Sequence, residues 1–274
     1  MTSPRRSKTS SRGSRNSSES TPTEKSSSTE TSTPSAPGRS AFAPFPSTEP
    51  GGLGHPLLLL NLKTYSGHVG PGAERTARLL EELGKAAGVA VAVAPATPDL
   101  GRVASAVAIP VLAQHVDALD LGAHTGFVPP EAVRAAGGWG SLVNHSEHPV
   151  PSAAVRDAIR LLQASGMVAV VCAKDVAAAR RFARWHPPYV AIEPPELIGG
   201  DRAVSTARPE VVSGSVAAVR SVAPATFVLC GAGVHARRDV ARALELGSSG
   251  VLVASAVTRA ADARSAIEEL LAGF

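Results

Sequence analysis

From residue 56 onward, short apolar runs alternate with longer segments in which apolar and charged residues recur at helical spacing. The apolar runs do not alternate with polar residues, which is typical of parallel strands buried on both faces. The runs predicted as strands are 57–60, 89–93, 110–114, 140–144, 167–172, 189–192, 226–230 and 250–253. The predicted helices are 73–87, 98–106, one beginning at Pro130, one beginning near Ser152 as N-cap, 175–184, 209–222, 237–246 and 261–271.

Eight βα units without a break in composition predict an α/β fold, a single (β/α)8 barrel over residues 56–274. An open, doubly wound parallel sheet is the alternative. Its dinucleotide-binding version is disfavoured because no Gly-x-Gly-x-x-Gly motif follows the first strand.

Residues 1–55 are rich in Ser, Thr and Pro and contain almost no large apolar side chain before Phe42. Such a segment buries too little surface to offset its ordering entropy, so we expect a disordered N-terminal extension. It lacks the apolar core of a secretory signal. Its Ser and Arg content resembles a transit peptide, but its glutamates and the absence of an amphipathic pattern favour a plain extension.

The net charge of +4 lies mostly in this extension, because residues 1–50 hold seven basic and four acidic residues. The barrel is nearly neutral, so we expect neither a nucleic-acid partner nor a membrane partner. No apolar segment approaches the roughly 20 residues that span a bilayer. Cys172 and Cys230 each end an apolar run and are predicted to be buried thiols, which fits a reducing, cytoplasmic compartment.

Polar residues stand at the predicted carboxyl ends of the strands, where barrels of this kind carry their active sites. Lys63 follows the first strand, His145 the fourth and Glu193 the sixth. His115 and His124 follow the third strand. A lysine at the barrel mouth is well placed for an anionic ligand, although a solvated loop lysine is the alternative.

Two strand ends are built from small residues. Gly231-Ala232-Gly233 follows the seventh strand and Ala254-Ser255 the eighth. Backbone N–H groups at these two positions commonly bind phosphate in barrels, although a tight turn would explain the glycines equally. Cys230 beside them is predicted to pack rather than to act as a nucleophile.

A metal site is not favoured. His145 and His148 lie three residues apart, but Pro149 and the loop context argue against a shared helical face, and no cysteine or third histidine is near in sequence. We therefore expect neither a metal nor a cofactor.

The segment after Glu193 has an unusual composition. Two prolines stiffen residues 194–195, a short apolar stretch follows, and Gly199-Gly200 frees the chain. A stiff segment hinged beside a carboxylate predicts a lid that closes over a general base. The alternative is a strand exit followed by an ordinary surface loop.

Together these residues suit proton abstraction next to a carbonyl in a small sugar phosphate. Glu193 would transfer the proton, His145 would polarise the carbonyl and Lys63 would stabilise the negative charge of an enediolate. The lid would exclude water and protect the intermediate.

Seven segments carry a family resemblance: 61–63, 114–117, 122–126, 142–147, 193–199, 230–234 and 250–255. With these motifs in this order, the chain resembles the triosephosphate isomerases, in their shorter archaeal-type form, from about residue 56 to its end. The resemblance implies a TIM barrel and the interconversion of D-glyceraldehyde 3-phosphate and dihydroxyacetone phosphate in glycolysis and gluconeogenesis. A glutamate base, a neutral histidine and a closing loop are the known chemistry of this family, so the mechanism comes with the resemblance.

The resemblance also implies residue roles. Glu193 would be the base, His145 the electrophile and Lys63 the third catalytic residue, with Glu147 supporting Lys63. Thr125 lies in the loop that members use to reach a neighbouring subunit, which implies a homo-oligomer, a dimer or a tetramer. The implied substrate-binding residues are Asn61, Leu62, Lys63, Ile198, Gly199, Gly233, Ala254 and Ser255.

Two features depart from the family pattern. Members usually carry Gly-Thr-Gly after the lid isoleucine and then an apolar residue and a proline, whereas this chain has Gly199-Gly200-Asp201-Arg202-Ala203. The N-terminal extension is the second departure. The altered hinge motivates an alternative substrate such as a tetrulose phosphate. A non-catalytic, phosphate-binding barrel is a further alternative, which the complete Glu193, His145 and Lys63 set disfavours.

Overall fold

The computed structural model describes residues 52–198 and 202–274. The strands are β1 Leu57–Asn61, β2 Ala90–Ala94, β3 Leu112–Ala113, β4 Gly140–Val143, β5 Val168–Ala173, β6 Tyr189–Ile192, β7 Phe227–Cys230 and β8 Gly250–Val253. They pair in parallel in the order β2-β1-β8-β7-β6-β5-β4-β3. A parallel bridge between Val93 and Val111 links the two ends of this order. The predicted barrel is therefore confirmed, and the open-sheet alternative is wrong.

Helices follow the strands as predicted, with bounds that differ in places. The α-helices are α1 Pro71–Ala87, α2 Leu100–Ala104, α3 Pro130–Ala135, α4 Ser152–Ala164, α5 Val176–Ala183, α6 Val204–Ala207, α7 Pro209–Arg220, α8 Arg237–Glu245, α9 Ser255–Thr258 and α10 Ala263–Leu271. Short 3-10 helices span Ser66–His68, Thr97–Asp99 and Pro195–Leu197. Pro151, rather than the predicted Ser152, is the N-cap of α4, because Ser152 already has helical geometry.

The third βα unit is the least regular. β3 has two residues, where five were predicted. The chain between β3 and α3 is a loop, residues 117–128, whose ends Asp117 holds together. Its carboxylate accepts the N–H of Val128 at 2.7 Å, and its own N–H donates to the Val128 carbonyl at 2.9 Å.

Alternate residues of each strand enter two separate apolar clusters. Leu57 and Leu59 point into the barrel interior, whereas Leu58 and Leu60 pack against the helices. Because side chains alternate along a strand and both faces are covered, every position in β1 is apolar until Asn61. The same parallel arrangement brings the carboxyl ends of the strands to one rim.

The predicted extension, residues 1–55, falls almost wholly outside the described residues, so its disorder and its boundary remain predictions. Among the residues that are described, no helix has the length and apolar character needed to cross a membrane.

Candidate active site

The end of β1 turns Lys63 into the barrel mouth. Asn61 is buried, and its side-chain Oδ1 accepts the N–H of Lys63 at 3.0 Å. Lys63 has φ +50°, a left-handed conformation that costs an L-residue on the order of 1 kcal/mol. Gln114 holds this turn, since its Nε2 donates to the Lys63 carbonyl at 3.0 Å. Strain maintained by neighbouring contacts is typical of a functional position.

Glu147 lies beside Lys63. The Lys63 ammonium contacts Glu147 Oε1 at 2.7 Å, and the lysine side chain is 15% exposed against 56% for the glutamate. The contact expected from the sequence is therefore present. This ion pair fixes the position of the Lys63 ammonium, and the rest of the lysine side chain is largely buried.

The turn after β4 orients His145. Asn144 takes φ +62° and donates from Nδ2 to the Cys172 carbonyl at 3.0 Å. His145 is buried, and its Nδ1 accepts the N–H of Glu147 at 3.2 Å. Because Nδ1 is an acceptor here, the neutral ring carries its proton on Nε2. That nitrogen lies 3.7 Å from Glu193 Oε2.

Glu193 is held at the end of β6 in a buried position. Its N–H donates to the Ala173 carbonyl at 2.9 Å, and its residue is 6% exposed. Oε2 has no hydrogen-bond partner among the described residues. Buried carboxylate oxygens are normally paired, and an unpaired one suits a group that must accept a proton from a substrate.

Gly231 makes room for this carboxylate. A Cβ at position 231 would lie 2.5 Å from Glu193 Cγ, closer than any carbon contact allows. The glycine that sequence analysis assigned to a phosphate-binding turn therefore also accommodates the base. No sequence signal distinguished these two roles.

Both cysteines are buried free thiols. Burial, and secondarily the nearby Glu193 carboxylate, raises the pKa of Cys172 well above its ordinary value. Burial raises the pKa of Cys230 to about 12. Both thiols are therefore protonated at neutral pH and pack as small apolar groups.

A cavity of about 30 Å³ brings most of the predicted site residues together. It is lined by Asn61, Lys63, His145, Glu193, Ile198, Ala232, Gly233, Val234, Leu252, Val253, Ala254 and Ser255. Ala232 belongs to the predicted Gly231-Ala232-Gly233 turn. Val234, Leu252 and Val253 were not predicted, although they adjoin predicted residues in the motifs that end β7 and β8. Such a volume holds about one or two water molecules.

Two predicted residues are not among those that line the cavity. Leu62 has a fully buried side chain in the outer apolar cluster, and its N–H donates to the Ala94 carbonyl at 3.0 Å. Gly199 lies outside the described residues, as do Gly200 and Asp201 of the altered hinge.

The lid segment contacts the barrel on both sides of this gap. On the first side, Glu196 forms an ion pair with Arg208 at the start of α7. On the second side, the N–H of Val204 donates to the Ala232 carbonyl at 3.1 Å. Gly233, with φ +69°, allows the backbone of Arg202 to lie close to the end of β7, because a Cβ at position 233 would lie 2.0 Å from the Arg202 carbonyl oxygen.

A larger cavity of about 520 Å³ adjoins the first and shares Asn61, Lys63 and His145 with it. His115 and His148 stack in its wall with ring centroids 4.0 Å apart. Across residues 52–198 and 202–274, no cluster of His, Cys, Asp or Glu has the arrangement needed to hold a metal.

Comparisons with known proteins agree on one family. The family model described as triosephosphate isomerase matches residues 56–270. The triosephosphate isomerase of Methanosarcina acetivorans is 44% identical over 219 residues, covering 80% of this chain and 99% of that protein. The enzyme of Methanothermus fervidus gives the same identity and coverage. The crystal structure of triosephosphate isomerase from Bartonella henselae superposes with a TM-score of 0.61 at 17% identity, covering 73% of this chain and 92% of that one, which supports the fold alone.

Proposed function

Since the chain belongs to the triosephosphate isomerase family, we propose that it interconverts D-glyceraldehyde 3-phosphate and dihydroxyacetone phosphate by proton transfer through Glu193. The observation that carries this proposal is the unpaired, buried Oε2 of Glu193, 3.7 Å from His145 Nε2 in the cavity that Lys63 also lines. A base, a proton donor and a cation thus surround one small space.

Each of these groups has one task. Glu193 removes the proton from the carbon next to the carbonyl, and the electron pair moves to the carbonyl oxygen. His145 Nε2–H donates a hydrogen bond to that oxygen, and Lys63 stabilises the negative charge of the enediolate. His145 Nε2 gives its proton to that oxygen and regains one from the neighbouring hydroxyl. As the neighbouring oxygen forms the new carbonyl, Glu193 returns its proton to the former carbonyl carbon, so no atoms are gained or lost. These steps require neither a metal nor a cofactor.

The opposite end of the cavity suits a phosphate. Gly233 and Ser255 follow two adjacent strands and line the cavity with Ala254 and the lid residue Ile198. Backbone N–H groups bind phosphate without adding a charged side chain near the base. Asn61 would help to position the sugar. Leu62 would contribute through its neighbours, because its own side chain is buried in the core.

Movement of the lid would complete the site. The small cavity of about 30 Å³ does not hold a whole sugar phosphate, and the adjoining cavity of about 520 Å³ shares Asn61, Lys63 and His145 with it, so the segment that contains Ile198 would close over a substrate that occupies both. Its closure would then exclude water from the enediolate. Gly199 would contact the phosphate in that state.

A comparison of substrates tests the proposal against an isomerase of longer sugars. We expect kcat/KM for triose phosphates to exceed that for a tetrulose phosphate at least about tenfold, as in a member of the triosephosphate isomerase family. Both values can be measured in a coupled isomerase assay. A preference of about 100-fold or more for the longer sugar would overturn the triose assignment.

The loop of residues 117–128 supports a further proposal, a homo-oligomer. Leu121 and Phe127 in this loop are 64% and 53% exposed, unusually so for large apolar side chains. Thr125, in the same loop, lines the larger cavity beside Lys63. A second copy of the chain would cover these residues, as a dimer or within a tetramer.

Light scattering after size-exclusion chromatography tests this assembly. We expect wild type to elute as an oligomer and the Leu121→Asp/Phe127→Asp variant to shift to monomer, because charges at a self-contact are repelled and poorly solvated. Ala153→Asp on the exposed face of α4 is the control. A monomeric wild type would contradict the proposal.

The cytoplasmic location expected from the sequence stays a prediction.

A further inference from the structure

A separate cavity of about 280 Å³ lies on another side of Glu193. Its wall comes from the turn after β4, the start of α4, the end of β5, α5 and the first residues of the lid. The lining residues are Asn144, Ser146, Pro149, Val150, Ser152, Cys172, Ala173, Lys174, Ala178, Arg181, Phe182, Glu193 and Pro195. Of these residues, only Glu193 and the lid take part in the proposed proton transfer.

Two available cations line this cavity. Lys174 and Arg181 are exposed, and neither forms an ion pair within the described residues. The Arg181 guanidinium lies 4.9 Å above the Phe182 ring, which orients it without neutralising it. An anion at the cavity opening would therefore not have to displace a carboxylate.

The surrounding segment is also positive. Residues 152–186 contain six basic and two acidic residues, although the barrel as a whole is nearly neutral. Both acids are engaged, since Asp157 pairs with Arg156 and Asp175 accepts the N–H of Ala178 as the cap of α5. The field of this segment is therefore positive, while Glu193 in the cavity wall and the flanking Glu147 and Glu196 oppose it.

The start of α4 adds to this field. This 13-residue helix has Pro151 as its N-cap, no side-chain cap and no acidic residue in its first turn. Its first N–H groups and the positive end of its dipole thus lack the usual partner. Ser152, the first residue of α4, lines the cavity with Lys174 and Arg181.

The inner end of the cavity sets a limit on the ligand. Glu193, 6% exposed and with an unpaired carboxylate oxygen, would repel a second negative charge there. Pro149, Val150 and Phe182 also line the cavity and give it apolar wall. The site therefore favours a molecule with one anionic end and an uncharged body.

We propose that this cavity binds a small phosphomonoester with an uncharged body, and that its occupation inhibits the isomerase. The ligand would contact Glu193 and the lid residue Pro195, so it would restrain the base and the first residues of the lid. This regulatory role rests on the proposed isomerase function. The binding site itself does not.

Phenyl phosphate is a suitable probe, since its phosphate matches the cations and its ring matches the apolar wall. In steady-state assays of the full chain, we expect inhibition with a component that saturating substrate does not relieve. Lys174→Ala/Arg181→Ala should weaken that component about tenfold, because two charge-assisted contacts are lost. Arg180→Ala/Arg184→Ala removes the same charge from the same helix region outside the cavity and should change it less than about twofold. Purely competitive inhibition, or equal weakening in both variants, would overturn the proposal.

Calorimetric titration with phenyl phosphate separates this site from the isomerase function, because binding needs no turnover. The chain could bind phenyl phosphate through Lys174 and Arg181 and yet have no isomerase activity. That result would support the binding site and refute the proposed inhibition of an isomerase. Normal activity without such binding would refute the site alone. Terephthalate, charged at both ends, should bind about tenfold more weakly than phenyl phosphate, and equal affinity would contradict the single-anion assignment. Lys174→Met and Arg181→Gln, measured singly, replace the double variant if it unfolds.

Discussion

Glu193→Gln is expected to lower kcat by about 1,000- to 10,000-fold, because the amide cannot accept the substrate proton. Glutamine has nearly the shape of glutamate, so the contact with Gly231 and the packing of β6 should be retained. The measurement is a coupled isomerase assay on both proteins, with circular dichroism and thermal melting as checks on the fold.

The matched control for this change lies three residues further along the lid. Glu196→Gln makes the same chemical substitution at an exposed side chain whose partner is Arg208. Exposed ion pairs contribute little, so its kcat should fall by less than about fivefold. If Glu193→Gln were as active as wild type, the base would be another group. If wild type and Glu193→Gln both had only background activity, the non-catalytic barrel would be the better interpretation.

Lys63→Met is expected to lower kcat/KM by about 100- to 1,000-fold, since it removes the one cation among the described residues that line the small cavity. KM should rise as well, because the substrate phosphate loses an attractive charge. Methionine fills much of the space of the lysine stem, which limits any loss of packing. Kinetic constants for the triose phosphates and the competitive inhibition constant of inorganic phosphate report the two effects separately.

Lys85→Met provides the control for Lys63. Lys85 is an exposed lysine in α1 with no ion pair among the described residues, and its loss should leave kcat/KM within about twofold. An unchanged KM and an unchanged phosphate inhibition constant in Lys63→Met would show that Lys63 does not contact the substrate. Glu147→Gln should have a smaller effect than Lys63→Met, because it changes the position of the ammonium without removing it.

The barrel was predictable because its determinants are local. Each strand of a closed parallel sheet is covered on both faces, so β1 could be recognised from four consecutive leucines and ended at the first polar residue, Asn61. The predicted ends of some elements were wrong, because tertiary contacts as well as local sequence decide where a strand or helix ends. β3 has two residues rather than five, and the loop that follows is closed by Asp117 and Val128, a contact across eleven residues that no periodicity shows.

Part of the candidate site could also be predicted from the sequence. A (β/α)8 arrangement places strand ends on one rim, so Lys63, His145 and Glu193 could be expected to meet although 130 residues separate the first from the last. Their identities and positions at strand ends were sufficient for that inference. The resemblance to a family then added roles that the residues alone left open.

The sequence by itself determined the order of the elements, the side of the barrel that carries the chemistry and the residue types available there. Only the tertiary structure decided which nitrogen of His145 carries the proton, that Glu193 Oε2 has no partner, and that Gly231 makes space for it. It also decided that Lys174, Arg181 and Ser152 line one cavity beside the base. Hydrogen bonds and cavities depend on distances of a few ångströms between residues far apart in the chain, whereas helical and strand periodicity depends only on neighbours in sequence.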